Sequence, residues 1–553
     1  MRTFLLVIVT FFTFPFTILA QKDTAITSKV RIAAELADLS FTQQELDSMQ
    51  DGITQFLHTY QSLHKHALPN DVPMSLWQSP TVAGMHFSNI QMPIEWVKPQ
   101  NIHLPANINA LAYYSIPQLA YLIQHKKISS VALTKFFIQR IKQYGDTLQC
   151  VITLTEDLAL QQAAQADAEI AAGNYKGMLH GIPYGLKDLF AVKGYKTTWG
   201  AAPYKNQEIN EDAFVYQQLR KAGAVLVAKF SLGALAMGDY WYGGRTKNPW
   251  DLTRGSSGSS AGPAAATAAG LVPFAIGTET WGSIVSPSAT CGVTGLRPTF
   301  GSISRTGAMV LSWSLDKIGP ICRSANDAAI VFHAIHGTDG IDQSAVNMPF
   351  NYTPNKPINT YKIAYAKNYF DKITDTSRNE WKVLETFKKM GVQLIPINFP
   401  DSDIYHTNLM SIVIGAECAA AFDDFTRSNL DDEMTRQGKY DWPNQFREAR
   451  LIPAVEYINA NRHRYLLMQQ VNALLQKYNA VICPTRGSGN QSAITNLTGN
   501  PVVCVPTGFD NRFHLPTSIS FIGNLYDEGT LLRIAKAYQD ATPWNKTYPT
   551  LFQ

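Results

Sequence analysis

The sequence predicts an α/β protein, and three observations carry that reading. From Gly181 onward, short apolar runs alternate with Gly-rich turns and with stretches of helical periodicity. The composition is that of a globular chain: 45% of the 553 residues are apolar and 16% are charged. These values exclude a disordered chain, a collagen and a coiled coil. No internal repeat or low-complexity linker divides residues 110–553.

The chain opens with Arg2 and an apolar run from Phe4 to Ala20, and Ile-Leu-Ala precedes Gln21. This pattern reads as a secretory signal peptide over residues 1–20. It predicts an exported chain, periplasmic or secreted, with no stable membrane insertion after cleavage. Residues 27–66 read as helical. Within them, Thr42-Gln-Gln-Glu45 has the pattern of a capping box, followed by Met49, Ile53, Phe56 and Leu57 at helical spacing. Residues 67–110 are rich in Pro and Asn and read as a connector. Ser115 begins another helical stretch, through Leu119, Leu122, Val131, Phe137 and Ile141. Residues 157–172 are Ala-rich and read as helix. Val215, Leu219 and Ala222 mark a helix before the buried-strand candidate Ala224–Ala228. Further strand candidates are Leu271–Ile276, Ile363–Tyr365, Gln393–Ile397, Ala480–Cys483 and Val502–Val505.

Net charge is +4, and no long run of Lys or Arg is present. That is not the footprint of a nucleic-acid binder. Six cysteines without a CxxC pair are too sparse for a disulfide scaffold and argue against a thiolate zinc site. They read as buried free thiols, behaving as small hydrophobes. His333 and His336 are three apart on a helical stretch but have no third ligand motif, so they read as ordinary helix positions.

The segment Arg254-Gly-Ser-Ser-Gly-Ser-Ser-Ala-Gly-Pro263 runs into an Ala-rich helix with Pro263 in its first turn. A flexible serine linker is one reading, but a strand candidate follows the helix immediately. A phosphate cradle would need the GxxxxGK[ST] lysine, which is missing. Gly258-Ser-Ser260-Ala-Gly262 matches a nucleophile elbow, but an elbow needs a hydrophobic strand before it. Here Arg245–Arg254 is polar and contains Pro249. Two neighbours complete the pattern: Gly181-Ile-Pro-Tyr-Gly-Leu-Lys187-Asp188 upstream, and Gly277-Thr-Glu-Thr-Trp-Gly-Ser283 downstream.

Together these segments resemble the amidase signature family. Lys187 lies 72 residues before Ser259, and Ser259 lies 24 before Ser283. The resemblance continues through Cys291–Gly301, Asp316–Cys322, Asn496–Pro501 and Tyr526–Leu532, and covers about residues 110 to 545. It implies an α/β/α domain at 111–553 with a central mixed sheet flanked by helices, after an N-terminal helical extension and connector at 21–110. It implies amide hydrolysis with Lys187 as base, Ser259 as a cis serine and Ser283 as nucleophile. Backbone N–H groups of Thr280, Trp281 and Gly282 would form the oxyanion hole, and Met237 and Gly238 would bind substrate. The expected partner is a small-molecule or peptide amide, with no metal, cofactor or nucleic acid. Three positions depart from the family pattern: Glu279 for Asp, Trp281 for Gly and Val285 for Arg.

For Lys187 to act as a base near neutral pH, its amine must titrate about 3 units below its usual value near 10.4. Apolar neighbours Ile182, Pro183, Tyr184 and Leu186 fit such desolvation. Asp188 would oppose it unless strand alternation points the carboxylate away. Two other functions remain open on the sequence alone. One is the glutaminase subunit of a tRNA amidotransferase. The other is a non-catalytic binding protein on the same fold. The aromatics Tyr240, Trp241 and Tyr242, with Trp281, suggest an apolar or aromatic acyl or peptide group.

Overall fold

A computed structural model describes residues 24–36, 39–63, 65, 79–401 and 407–553. The expected signal segment, residues 1–20, lies outside them. The stretch read as one helix over 27–66 is two, Thr24–Leu36 and Gln43–Leu63. The second starts at the expected cap: Thr42 N–H donates to Glu45 Oε2 at 2.6 Å, and Glu45 N–H to Thr42 Oγ1 at 3.3 Å. Residues 79–107 form no helix or strand. The stretch from Ser115 to Ile141 is likewise two helices, Ile116–Gln124 and Ser130–Leu148. Lys126 takes a left-handed backbone between them, and Ser129 caps the second helix by accepting from Ala132 N–H at 3.0 Å.

The strands, in chain order, are β1 (Val151–Leu154), β2 (Pro183–Lys187) and β3 (Val225–Phe230). Two short ribbons follow, β4 (Tyr240–Trp241) with β5 (Gly244–Arg245), and β6 (Lys247–Asn248) with β7 (Asp251–Gly255). Next come β8 (Phe274–Glu279), β9 (Thr294–Arg297), β10 (Lys317–Cys322), β11 (Ile363–Ala366) and β12 (Ile395–Ile397). The last are β13 (Ala480–Pro484), β14 (Val502–Phe509) and β15 (Pro516–Ile522). Among the described residues, eleven strands form one sheet in the order β1-β3-β2-β8-β10-β9-β14-β15-β13-β11-β12. It is mixed: β2 runs parallel to β3 and β8, and β11 parallel to β12 and β13, while the other pairs are antiparallel. Helices flank the sheet, so β2, β3, β9, β10 and β13 are buried along their whole length.

Two sequence expectations shift, and four strands were not expected. The strand expected from Leu271 begins at Phe274, and the one from Gln393 begins at Ile395. Strands β1, β9, β10 and β15 carry weak local signals. Lys317-Ile-Gly-Pro-Ile-Cys322 even contains Pro320, which local propensity keeps out of central strands. Six register pairs with β8 and complete burial decide its conformation instead.

The sheet also buries charge. Lys229 of β3 and Asp188, just after β2, are both fully buried and meet at 2.8 Å. Lys229 donates further to Thr197 Oγ1, and Asp188 accepts from Thr198 N–H at 2.8 Å. Removing one partner of such a pair leaves an uncompensated buried charge. Asp188→Ala is therefore expected to lower the unfolding free energy by about 3–5 kcal/mol. Urea denaturation at neutral pH measures this, and an unchanged midpoint would contradict it.

Candidate functional site

The site is assembled where three segments meet at the ends of the central strands β2 and β8. Lys187 ends β2 and is fully buried. Its Nζ donates to Ser259 Oγ at 2.8 Å and to Thr278 Oγ1 at 2.8 Å. Asp188 turns away to Lys229, as strand alternation predicts. Desolvation lowers the Lys187 amine from 10.5 to about 7, while the Asp316 and Glu279 carboxylates oppose that fall.

Ser259 follows a cis peptide from Gly258 and is fully buried. A Cβ at Gly258 would sit 1.8 Å from the Gly238 carbonyl oxygen, so this turn admits no side chain. Ser260 has another task. Its N–H donates to the Ser283 carbonyl at 3.0 Å, its Oγ donates to Thr278 O at 3.0 Å, and it accepts from Thr278 N–H at 3.2 Å. Its hydroxyl thus laces the loop to β8 and is fully buried. The ribbon strand before it, Asp251–Gly255, is partly exposed. Neither feature fits an elbow nucleophile at Ser260.

Ser283 lies in the turn after β8, before the helix Val285–Cys291. Gly282 has φ +84°, a conformation that favours glycine. Among the described residues, the N–H groups of Trp281, Gly282 and Ser283 donate to no backbone carbonyl. Glu279 fixes the turn from below: Oε2 accepts from Ile284 and Val285 N–H at 2.8 and 2.9 Å. Its Oε1 accepts from Arg297 Nη1 at 3.0 Å and Asn496 Nδ2 at 2.8 Å. Burial alone would raise the Glu279 carboxyl, but Arg297 and the Val285 N–H overcome it and hold it near 2, down from 4.5. Thr280 is tied to Asp316 Oδ1 at 2.5 Å.

Ser283, Thr280, Trp281 and Gly258 line a cavity of about 560 Å³, together with Met237 and Gly238. Of the aromatics the sequence pointed to, Trp281 faces this cavity. Tyr240, Trp241 and Tyr242 do not line it: Trp241 is buried with Nε1 donating to Gln149 O at 3.1 Å, and Tyr240 lies under Arg245 and Arg436. The cavity's other aromatics are Phe56, Tyr440 and Trp442, which come from distant segments without a local motif. All six cysteines are buried and unpaired. His333 and His336 pack with Phe350, and among the described residues no cluster of three or more His, Cys, Asp or Glu could hold a metal ion.

A family profile described as Amidase matches residues 132–532. A glutamyl-tRNA(Gln) amidotransferase subunit from Coxiella burnetii is 34% identical over 482 residues, 79% of this chain and 99% of that protein. The crystal structure of a peptide amidase from Stenotrophomonas maltophilia aligns with a TM-score of 0.70 and 28% identity, over 78% of this chain and 98% of that one. A bacterial aryl acylamidase of the amidase signature family aligns with a TM-score of 0.70 over 78% of this chain and 97% of that one. At 22% identity, it speaks for the fold alone. Fold and relatives define an amide C–N hydrolase. The chain belongs to the amidase family, the amidase signature enzymes.

The relatives also correct two expectations. Export to the periplasm or the medium is overturned: the matching amidotransferase proteins are named for a charged transfer RNA, a cytoplasmic substrate, and they align with 79% of the chain. The exclusion of nucleic acid loses its support for the same reason. Among the described residues no helix is long and apolar enough to cross a membrane.

The Glu279 carboxyl makes an acid-stability test. Its depressed value stabilises the fold above about pH 4.5, and that contribution is lost as pH falls toward 2. The difference corresponds to about 3 kcal/mol. Glu279→Gln is expected to be less stable at pH 7 and to lose this part of the acid slope, as read from chemical denaturation between pH 5 and about pH 2.

Proposed function

We propose that the chain hydrolyses a carboxamide through an acyl-enzyme on Ser283, with Ser259 and Lys187 relaying the proton. One observation carries the reading. A fully buried lysine amine lies 2.8 Å from Ser259 Oγ, beside a cavity that Ser283 lines. A serine hydroxyl needs an adjacent base to attack an amide. The neutral Lys187 amine takes a proton from Ser259 as Ser259 takes one from Ser283 Oγ. Ser283 Oγ then bonds to the amide carbon, and the carbonyl oxygen becomes an oxyanion. Thr280, Trp281 and Gly282 supply its backbone donors, each typically worth about 3–4 kcal/mol. Collapse breaks the C–N bond, and Ser259 returns a proton to the leaving nitrogen. Water then cleaves the acyl ester by the same relay. Met237 and Gly238 hold the substrate against the cis turn.

Which amide is cleaved divides two readings. The amidotransferase relatives, matched over 99% of their length, favour a glutaminase-type component that works with partner proteins and a transfer RNA. The peptide amidase at 28% identity supports a hydrolase of peptide amides. Ammonia release from free glutamine and co-purification of partner proteins would support the first. Turnover of a peptide amide by the isolated chain would support the second.

Ser283→Ala is expected to abolish turnover and fluorophosphonate labelling, as read by mass spectrometry. Retained activity would sink the nucleophile assignment. The pH profile tests the base. Only the neutral amine accepts a proton, so kcat/KM is expected to rise with pH and level off above about 7. Lys187→Ala should lose most activity and that limb with it.

The same burial has a stability consequence. The fall from 10.5 to about 7 corresponds to roughly 5 kcal/mol against the charged form. Below pH 7 the folded chain carries that cost in full, and it fades as pH rises from 7 toward 10.5. Lys187→Met is expected to unfold at a higher temperature than the wild type at pH 6 while being inactive. A lower melting temperature would contradict the desolvated amine.

A further inference from the structure

The far wall of the Ser283 cavity comes from two helices that carry none of the amidase signature motifs. One is Gln43–Leu63, which precedes the family-matched segment, and the other is Trp442–Ala449. Charge and hydrogen bonds clamp them together. Lys439 Nζ meets Asp51 at 2.7 Å, Arg447 meets Glu45 at 2.9 Å, and Asn444 Nδ2 donates to Ser48 O at 3.3 Å. Glu448 sits in the seam and lines the cavity, 8% exposed. Its carboxyl rests against Gly52, where a Cβ would lie 2.1 Å from it.

Asn444 Nδ2 donates to Glu448 Oε1 at 2.7 Å. Among the described residues no lysine, arginine or histidine pairs with this carboxylate. A buried carboxyl without a cation is held largely in its neutral form near pH 7, and it ionises when a cation is brought against it. Burial pushes Glu448 up to about 8, with Asp51 adding to the rise while Asn444 and Lys439 oppose it. Lys439, the nearby cation, is already engaged by Asp51. Much of the remaining lining is apolar or aromatic, including Phe56, Trp281, Ile414 and Trp442. Aromatic faces of this kind accommodate a cation.

We propose that Glu448 is a specificity-determining residue, receiving an ammonium or guanidinium group on the acyl part of an amide whose scissile carbonyl lies at Ser283. The assignment rests on the hydrolytic reading of Ser283. It gives the N-terminal helix a part in substrate choice, because Gly52 leaves the space in which the carboxyl lies.

The test compares ω-aminoacyl p-nitroanilides with alkanoyl p-nitroanilides of matched length, using the full chain, E448Q and G52A. In the wild type the best cationic amide is expected to exceed its neutral match in kcat/KM by about tenfold or more, the scale of one charge-assisted hydrogen bond. In E448Q that ratio should fall to about one, chiefly through KM. In G52A, where the new Cβ displaces the carboxyl, the ratio should fall with Glu448 still present. Equal rates in the wild type, or a ratio that survives E448Q, would overturn the assignment. Should neither series be hydrolysed while a fluorophosphonate still labels Ser283, an alkylamine decides. Protection of Ser283 in the wild type but not in E448Q supports the assignment, and no protection overturns it. A Ser283 that neither labels nor turns over either series overturns the hydrolytic reading, and this assignment falls with it.

Discussion

The desolvation of one lysine amine organises this molecule. Lys187 sits at the end of β2, inside a sheet covered by helices on both faces, and its hydrogen-bond partners are the neutral groups Ser259 and Thr278. Water is excluded and no carboxylate pairs with the amine, so the neutral form gains. The surrounding charges are handled differently. Asp188 is taken up by Lys229, and Glu279 by Arg297 and Asn496. Asp316 and Glu279 still favour the charged amine, but desolvation outweighs them.

Close backbone approach is the second constraint. The Gly258 turn lies directly against the Gly238 carbonyl, and Gly282 opens the turn that carries Ser283. Ser260 ties the two together, with its N–H on the Ser283 carbonyl and its hydroxyl on β8. A Gly/Ser-rich segment is thus bonded directly to the central strand β8 and to the Ser283 turn. Small side chains serve packing here, since every residue of the helix Ala261–Ala268 is buried.

The cavity is built partly from the family-matched segment and partly from residues outside it. Its floor comes from the matched segment 132–532: the Gly258 turn, Thr280, Trp281 and Ser283. Part of its far wall comes from the helix Gln43–Leu63, outside that segment. Common reaction chemistry with a separately built wall is how one fold serves different amides. Trp281 also lines this cavity.

What is local was legible in residue order alone. The cap at Thr42 and the buried strands near residues 225, 480 and 502 follow from residue type and short-range pattern, whereas Lys187, Ser259 and Ser283 were singled out by resemblance to the amidase signature family. Whatever depends on distant partners was settled by tertiary contacts. Strand β10 exists despite Pro320 because β8 pairs with it along its length. Tyr240, Trp241 and Tyr242 sit beside a cavity-lining segment yet turn elsewhere, while Phe56 and Trp442 arrive from far along the chain to wall the cavity. Glu448 carries no motif at all. It acquires its environment only when two helices, some 400 residues apart in sequence, close over it. Local pattern is set by backbone sterics and side-chain spacing, whereas burial and charge environment are set by which segments exclude water together.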